Sequence, residues 1–496
     1  MKKSVCTALS VLLLLAMLCA SLAGCKKEAP KDPDPGTAAP ETDTGDGGLD
    51  AVDYGGAKLK FLTYKEGDSI ATANELDGDF NGGPVEKGVY TRNSVLEEKY
   101  NVTFTHTDMR ANDPRIVERV GMLFNAGSED IDYVLAGTMN TNSCGIRGYT
   151  LAAQDVPFLR TEGDWWYSDF LEATEIKGKN FFLMGDFAYT SWTMTTCIMF
   201  NETMAEKWGI DPEEIFTLIR EGRWTLDRLI AYSKLVYEDT DRSGDVSLGD
   251  TFGFASNSAC VDALLGGCDI RFVTKDDDGN MVYGVEDRFY TFFDMIYDLA
   301  HTKSSCYSDA EESFGKYDRN TFPSMMEQNQ ALFSVNGLPF RDSGMRNVEF
   351  RYLSLPTPKW NETQSKYYSW CHQYNSSSVA VMRGTDHLEM LGRVLEDFTY
   401  YSRQYVRPAY YDTLLEGIMS KSPVFVEMLD YIIGSYSIDL ASLFVNEKIT
   451  LLAGSTGDIR TMVNKANKGS IKTKLLRNAQ TWQGILDGIS TSVAGK

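Results

Sequence analysis

The chain has 496 residues, a formal net charge of −22 and 12% aromatic residues. Its length accommodates two or three domains with large cores. The negative balance argues against nucleic acid as a partner, since phosphate contacts need a basic face.

The first residues read as an export signal. Lys2 and Lys3 precede an apolar run, Ala8–Ala20, too short to span a bilayer but suited to a signal-peptide core. Leu22-Ala23-Gly24-Cys25 then has the form of a bacterial lipobox. This predicts a signal peptide over 1–24 and a lipidated Cys25 on the outer face of the cytoplasmic membrane. Several acyl chains, at about 0.8 kcal/mol per buried CH₂, would hold it there. Residues 25–57 are rich in Pro, Ala, Thr, Asp and Gly and predict a disordered tether. Apart from Cys6, Cys19 and Cys25, the cysteines are Cys144, Cys197, Cys260, Cys268, Cys306 and Cys371, with no C-x-x-C spacing. That pattern predicts buried thiols and no zinc site, with a Cys260–Cys268 bridge as the alternative for that pair.

Strand and helix patterns then alternate. Lys58–Tyr64, Val102–Thr107 and Asp132–Gly137 read as strands, separated by helical spacing over Val89–Tyr100 and Asp113–Ala126. This βαβαβ order predicts a parallel sheet with ligands beyond the strand carboxyl ends, near Tyr64, Thr107 and Gly137. Phe181–Asn201 is apolar and aromatic with one charge, Asp186. It reads as a crossing between two lobes: a strand, a kink at Ala188–Trp192, then a strand ending at Asn201.

Further on, Asp239, Asp241, Ser243, Gly244, Asp245 and Asp250 fall at positions one, three, five, six, seven and twelve of a calcium loop. Oxygen ligands at alternate positions and a glycine at the sharp turn suit calcium in a structural role. A solvated acidic turn capping the preceding helix is the other reading of the same residues.

The stretch MFNETMAEKWGID, with EGRWTLDRLIAYSKLVYEDTDRSGDVSLGDTFGF after it, resembles the sugar-binding class of extracellular solute-binding proteins of ABC importers. RNSVLEEKYNVTF, ALFSVNGLPF and YLSLPTPKWNETQSKYYSW fit the same pattern in the same order. One departure is Leu338-Pro339-Phe340, where the family's aromatic after the Asn-Gly turn is displaced. The resemblance implies an α/β, two-lobe, periplasmic-binding-protein-like fold of class II, with interleaved lobes joined by hinge strands. Residues 58–190 with 351–385 would form lobe 1, and 191–350 with 386–496 lobe 2. It further implies a monomer that passes a carbohydrate to an ABC permease and requires no cofactor.

Sugars offer C–H faces to aromatic rings and hydroxyls to placed polar groups. Candidate contacts are therefore Tyr64, Asn140 and Asn336 at strand ends, and Trp165, Trp166, Tyr189, Trp192, Trp370 and Tyr374 in loops or crossings. Trp192, at the kink, is the first of these, whereas Trp224 at a helix start reads as core. No nucleophile elbow, H-E-x-x-H, Walker loop or dinucleotide fingerprint occurs, and the four histidines lack metal-ligand spacing. A binding protein rather than an enzyme is predicted. A surface carbohydrate-active enzyme, or an adhesin on the same fold, remains as the alternative.

Overall fold

Three parallel strands open the fold. β1 (Ala57–Lys65) lies between β2 (Val102–Arg110) and β3 (Tyr133–Gly137), as the alternating pattern predicts. A computed structural model describes residues 48–65, 75–110, 115–302, 325–338, 345, 348–416, 423–444 and 463–494, apart from Met194, Leu248, Asn257, Ser258, His372, Tyr374, Asn375 and Gly434. The signal peptide, Cys25, most of the tether, Cys306, Phe340 and Tyr374 lie outside the described residues. β3 is buried at every position, as an apolar strand covered on both faces must be. The helix Pro84–Tyr100 has proline in its first turn and stops at Asn101, whose φ of 46° is left-handed.

The crossing stretch joins two sheets. Leu183 bridges Val379, which belongs to a strand of the first sheet that arrives from far along the chain. The predicted kink is a short helix, Tyr189–Thr193. β4 (Thr196–Asn201) follows in a second sheet, and Asn201 caps the next helix, Glu202–Lys207, by accepting from the Met204 amide at 2.9 Å. The second sheet also holds β5 (Tyr237–Glu238) and β6 (Thr251–Phe254). A hairpin of β7 (Val273–Lys275) and β8 (Met281–Tyr283) stands apart. β9 (Ala331–Gly337) and β10 (Tyr352–Leu355) complete the second sheet in the order β10-β4-β9-β6-β5. β11 (Ser369–Trp370) leads to β12 (Ser377–Val381), which closes the first sheet antiparallel to β3; β13 (Tyr436–Ser437) pairs with β11.

Two segments lie in the other lobe from the one expected. Tyr352–Leu355 pairs with Asn201–Ile198 in the second sheet, whereas the sequence reading returned it to the first. All four of its residues are buried, so their pattern carried no address. The helix Leu388–Tyr401, assigned to lobe 2, packs on the first sheet. Phe398 lies 6.0 Å from Phe61 and 5.8 Å from Phe104, and the Tyr133 hydroxyl donates to the Leu391 carbonyl at 2.7 Å. The last helix runs over Lys465–Ala494.

Trp224 is fully buried and donates to the Pro356 carbonyl at 3.0 Å, in the core role assigned to it. Thr225 is the N-cap residue of the helix Leu226–Ser233, but its hydroxyl donates to Asp227 and caps no backbone amide. Cys144, Cys197, Cys260, Cys268 and Cys371 are buried, and Cys260 and Cys268 form no bridge. Among the described residues no helix is long and apolar enough to cross a membrane.

Gly392 measures how closely the Leu388–Tyr401 helix sits on the first lobe. A Cβ there would lie 1.8 Å from the Pro157 carbonyl oxygen. Gly392→Ala is expected to destabilise the protein by about 1–3 kcal/mol, the ordinary range for overpacking. Urea unfolding measures this, and an unchanged midpoint would contradict the close packing.

Candidate functional site

The carboxyl end of β1, the start of β12 and the crossing helix meet through hydroxyl groups. The Tyr64 hydroxyl lies 2.9 Å from Ser377 Oγ, which lies 2.9 Å from Thr190 Oγ1. The Ser377 amide donates to Ser191 Oγ at 2.7 Å. All four side chains are buried, so each depends on its neighbours for hydrogen bonds.

Glu75 joins this group from the segment before the first helix. The Thr190 hydroxyl donates to Glu75 Oε1, and among the described residues Glu75 Oε2 has no hydrogen-bond partner. Burial pushes its carboxyl up to about 7, against the hydrogen bonds from Thr190 and Ser377 that favour the charged form. Arg92, also fully buried, supports the backbone of Glu75 rather than its carboxylate: Nη2 donates to the Glu75 carbonyl. Its Nη1 donates to Ser402 Oγ at 2.9 Å, and the guanidinium lies 3.9 Å over the Phe398 ring.

The carboxyl end of β3 runs into the helix Thr138–Ile146, whose N-cap, Gly137, offers no side chain. The turn before β12 satisfies the first amides instead. Thr138 donates from its amide and its hydroxyl to the Ser376 carbonyl at 2.9 and 2.8 Å, and the Met139 amide donates to the Gln373 carbonyl at 2.8 Å. Asn142, one turn beyond Thr138, and Gln373 are both buried, yet among the described residues their side-chain amides have no hydrogen-bond partner. Leaving such a group unsatisfied costs about 1–3 kcal/mol. The arrangement suits a ligand that carries hydroxyls.

The predicted contacts fall into three groups. Tyr64 and Tyr189 are buried at the hydroxyl junction or beside it, and Asn140 is half-buried in the Thr138–Ile146 helix. Asn336 is half-buried at the end of β9, opposite Cys197, and its amide donates to Ser334 Oγ at 2.8 Å. Trp165 and Trp166 are held away from the junction, because both indoles donate to Glu396, at 3.1 and 2.9 Å. Trp192 is a correction. The short helix turns its ring into the core, fully buried, 5.0 Å from Tyr410, with Nε1 donating to the Tyr167 hydroxyl at 2.6 Å. No face of that ring is left for a sugar. Glu75, Asn142 and Gln373 were not singled out from sequence, since acids and amides are too common for type alone to mark them.

A cavity of ≈ 810 Å³ opens between the segment after the helix Ser168–Thr174 and the β7–β8 hairpin. Asp169, Glu172, Arg271, Lys275, Arg288 and Tyr368 are among the residues lining it. Lys275 donates to the Glu172 carbonyl, and Lys177 to the Asp278 carbonyl at 3.1 Å, so the two walls are tied together. Trp370 borders a smaller cavity of ≈ 30 Å³ beside Gly266 and Asp439. Of the predicted calcium ligands, Asp239, Asp241 and Asp250 bring carboxylate oxygens within 4.8 Å of one another, while Ser243 and Asp245 are exposed on the same loop.

Glu75 gives stability a pH dependence of known sign. Its carboxyl titrates higher in the folded state than its ordinary 4.5, so the contribution is full below that value and is lost as pH rises through about 7. The loss amounts to roughly 3 kcal/mol at most. Asp439, raised by burial to about 6, shares part of the window. The difference between wild type and Glu75→Gln therefore isolates the effect. Urea unfolding at pH 5 and pH 8 is expected to show a smaller pH dependence in the variant, and equal curves would place the Glu75 carboxyl in water.

No protein-family model and no curated protein matches the chain. Solved structures do. UspC of M. tuberculosis is 10% identical over 86% of this chain and 100% of its own, with a TM-score of 0.55. The cyclic alpha-maltosyl-1,6-maltose binding protein of Arthrobacter globiformis is 12% identical over 88% and 100%, with a TM-score of 0.51. A cyclo/maltodextrin-binding protein complexed with maltotetraose is 10% identical over 88% and 96%, again with a TM-score of 0.51. The chain has the two-lobe α/β fold of these three proteins.

Proposed function

We propose that this protein is a lipid-anchored, non-catalytic solute-binding protein that captures a carbohydrate, in particular an oligosaccharide, between its lobes. It would act as a monomer on the outer face of the membrane and deliver its ligand to an ABC permease. The observation that carries the reading is the meeting of the crossing helix with polar strand ends, beside the unsatisfied amides of Asn142 and Gln373. The same-fold proteins named for maltosyl-maltose and maltodextrin support a sugar over other solutes. Leu22–Cys25 supports the anchor. Closure would follow from contacts to both lobes, because only differential affinity for the closed state shifts the equilibrium.

A thermal-shift screen of the purified protein against mono- and oligosaccharides, amino acids and peptides tests this. Oligosaccharides are expected to raise Tm in proportion to the logarithm of concentration over Kd. A shift with amino acids or peptides alone would overturn the carbohydrate assignment, and hydrolysed sugar in the wells would favour the enzyme reading. Gln373→Met tests the site itself. Removing an unsatisfied buried amide is expected to stabilise the free protein by about 1 kcal/mol. Calorimetry should at the same time show sugar affinity lowered about tenfold, the loss of one good hydrogen bond. Lower stability with unchanged affinity would make Gln373 a packing residue.

A further inference from the structure

The loop between β5 and β6 stands apart from the proposed sugar site. Asp239, Asp241 and Asp250 converge there although Asp250 lies eleven and nine positions beyond the first two. Exposed aspartates gather on many surfaces without an ion, but Asp250 is not exposed. It is fully buried, one oxygen accepts from the Ser247 amide at 2.9 Å and the Tyr237 hydroxyl at 3.4 Å, and among the described residues Oδ1 has no hydrogen-bond partner. A buried carboxylate oxygen without a donor is costly unless a cation or another donor meets it.

The backbone around this oxygen is shaped for a cation. Gly244, the sixth loop residue, has φ of +81°, the left-handed turn that lets oxygens from both sides face inward. The amides of Ser243 and Gly244 donate to Asp239 at 3.0 and 2.9 Å, and that of Ser243 also to Asp241 at 2.9 Å. These bonds aim the acidic side chains while leaving lone pairs for an ion. Ser247, the ninth residue, donates to Asp241 and stands where such loops place a water or a side-chain oxygen.

We infer that the Asp239–Asp250 loop is a calcium site, with Asp239, Asp241 and Asp250 as carboxylate ligands and Ser243 and Asp245 completing the oxygen set. The donors are all oxygen, since the loop contains no histidine or cysteine, which selects a hard cation over zinc or copper. Calcium accepts six to eight oxygens in flexible geometry, whereas magnesium demands a tight octahedron and keeps its waters. The ion's role is to fix the second sheet. Asp250 immediately precedes β6, whose Phe252 and Phe254 pair with Ala331 and Phe333 of β9. β6 also passes so close to the Ser233 carbonyl that a Cβ on Gly253 would lie 1.7 Å from its oxygen. Closing the loop on an ion holds that strand in register without touching the sugar site, so this inference and the sugar reading can fail separately.

Isothermal titration of the chelator-treated protein with CaCl₂, and separately with MgCl₂, tests the site. One calcium per chain is expected, with a Ca²⁺-dependent rise in Tm and a preference of at least about tenfold over Mg²⁺. Asp241→Asn, at an exposed position, is expected to weaken calcium at least about tenfold; Asp277→Asn, an exposed aspartate elsewhere, should leave it unchanged. Asp250→Asn should abolish the Tm response. No saturable binding at millimolar calcium, equal affinity for magnesium, or equal effects of Asp241→Asn and Asp277→Asn would overturn the assignment.

Discussion

The structure turns on Ser377. Its hydroxyl lies between Tyr64 at the end of β1 and Thr190 on the crossing helix, and its amide donates to Ser191 on the same helix. The Tyr64, Ser377 and Thr190 hydroxyls form a buried chain that ends on the Glu75 carboxyl, and burial pushes that carboxyl up. The crossing helix is thereby built into the edge of the first sheet. On its far side Thr195 reaches the Tyr436 hydroxyl at 2.8 Å, and the Leu338 amide donates to the Thr195 carbonyl, also at 2.8 Å. One short segment thus takes its bonds from both sheets.

How completely a buried polar group is satisfied separates packing from candidate function. Glu396 accepts from the Arg160 amide and side chain and from both Trp165 and Trp166, so its carboxylate has no capacity left for a ligand. Asp186, the one charge of the crossing stretch, is held by Tyr167, Arg403 and Arg407 at 3.0–3.2 Å. Burial raises its carboxyl and the two arginines oppose that rise. Removing one partner from such a pair is far costlier than the pair is stabilising, so both acids read as structure. Glu75, Asn142 and Gln373 are as deeply buried but incompletely bonded, and all three adjoin the carboxyl ends of the first sheet. Open α/β sheets bind ligands at those ends.

Trp192 shows how the two roles exchange. In sequence it is the aromatic at a kink, the position from which a ring would reach a sugar. In the fold its indole N–H needs a partner once buried, and the Tyr167 hydroxyl, itself donating to Asp186, supplies one. The ring therefore connects the crossing helix to the buried Asp186 network and carries no ligand surface of its own. In the acidic loop Gly244 takes the left-handed turn that its place in the twelve-residue spacing predicts, since position along a turn is local information.

Much of the fold was local enough to read directly. The period-2 and helical runs between Lys58 and Gly137 determined the parallel sheet, and the apolar stretch ending at Asn201 determined a crossing into a second lobe, because periodicity and capping act within a few residues. Tertiary structure alone decided which sheet took Tyr352–Leu355 and which lobe took Leu388–Tyr401, since a segment buried on every side has no polar face to show its neighbours. It alone decided, too, which buried polar groups would be left without partners. Satisfaction is a property of a site assembled from residues such as Glu75, Asn142 and Gln373, far apart in the chain, and no single segment contains it.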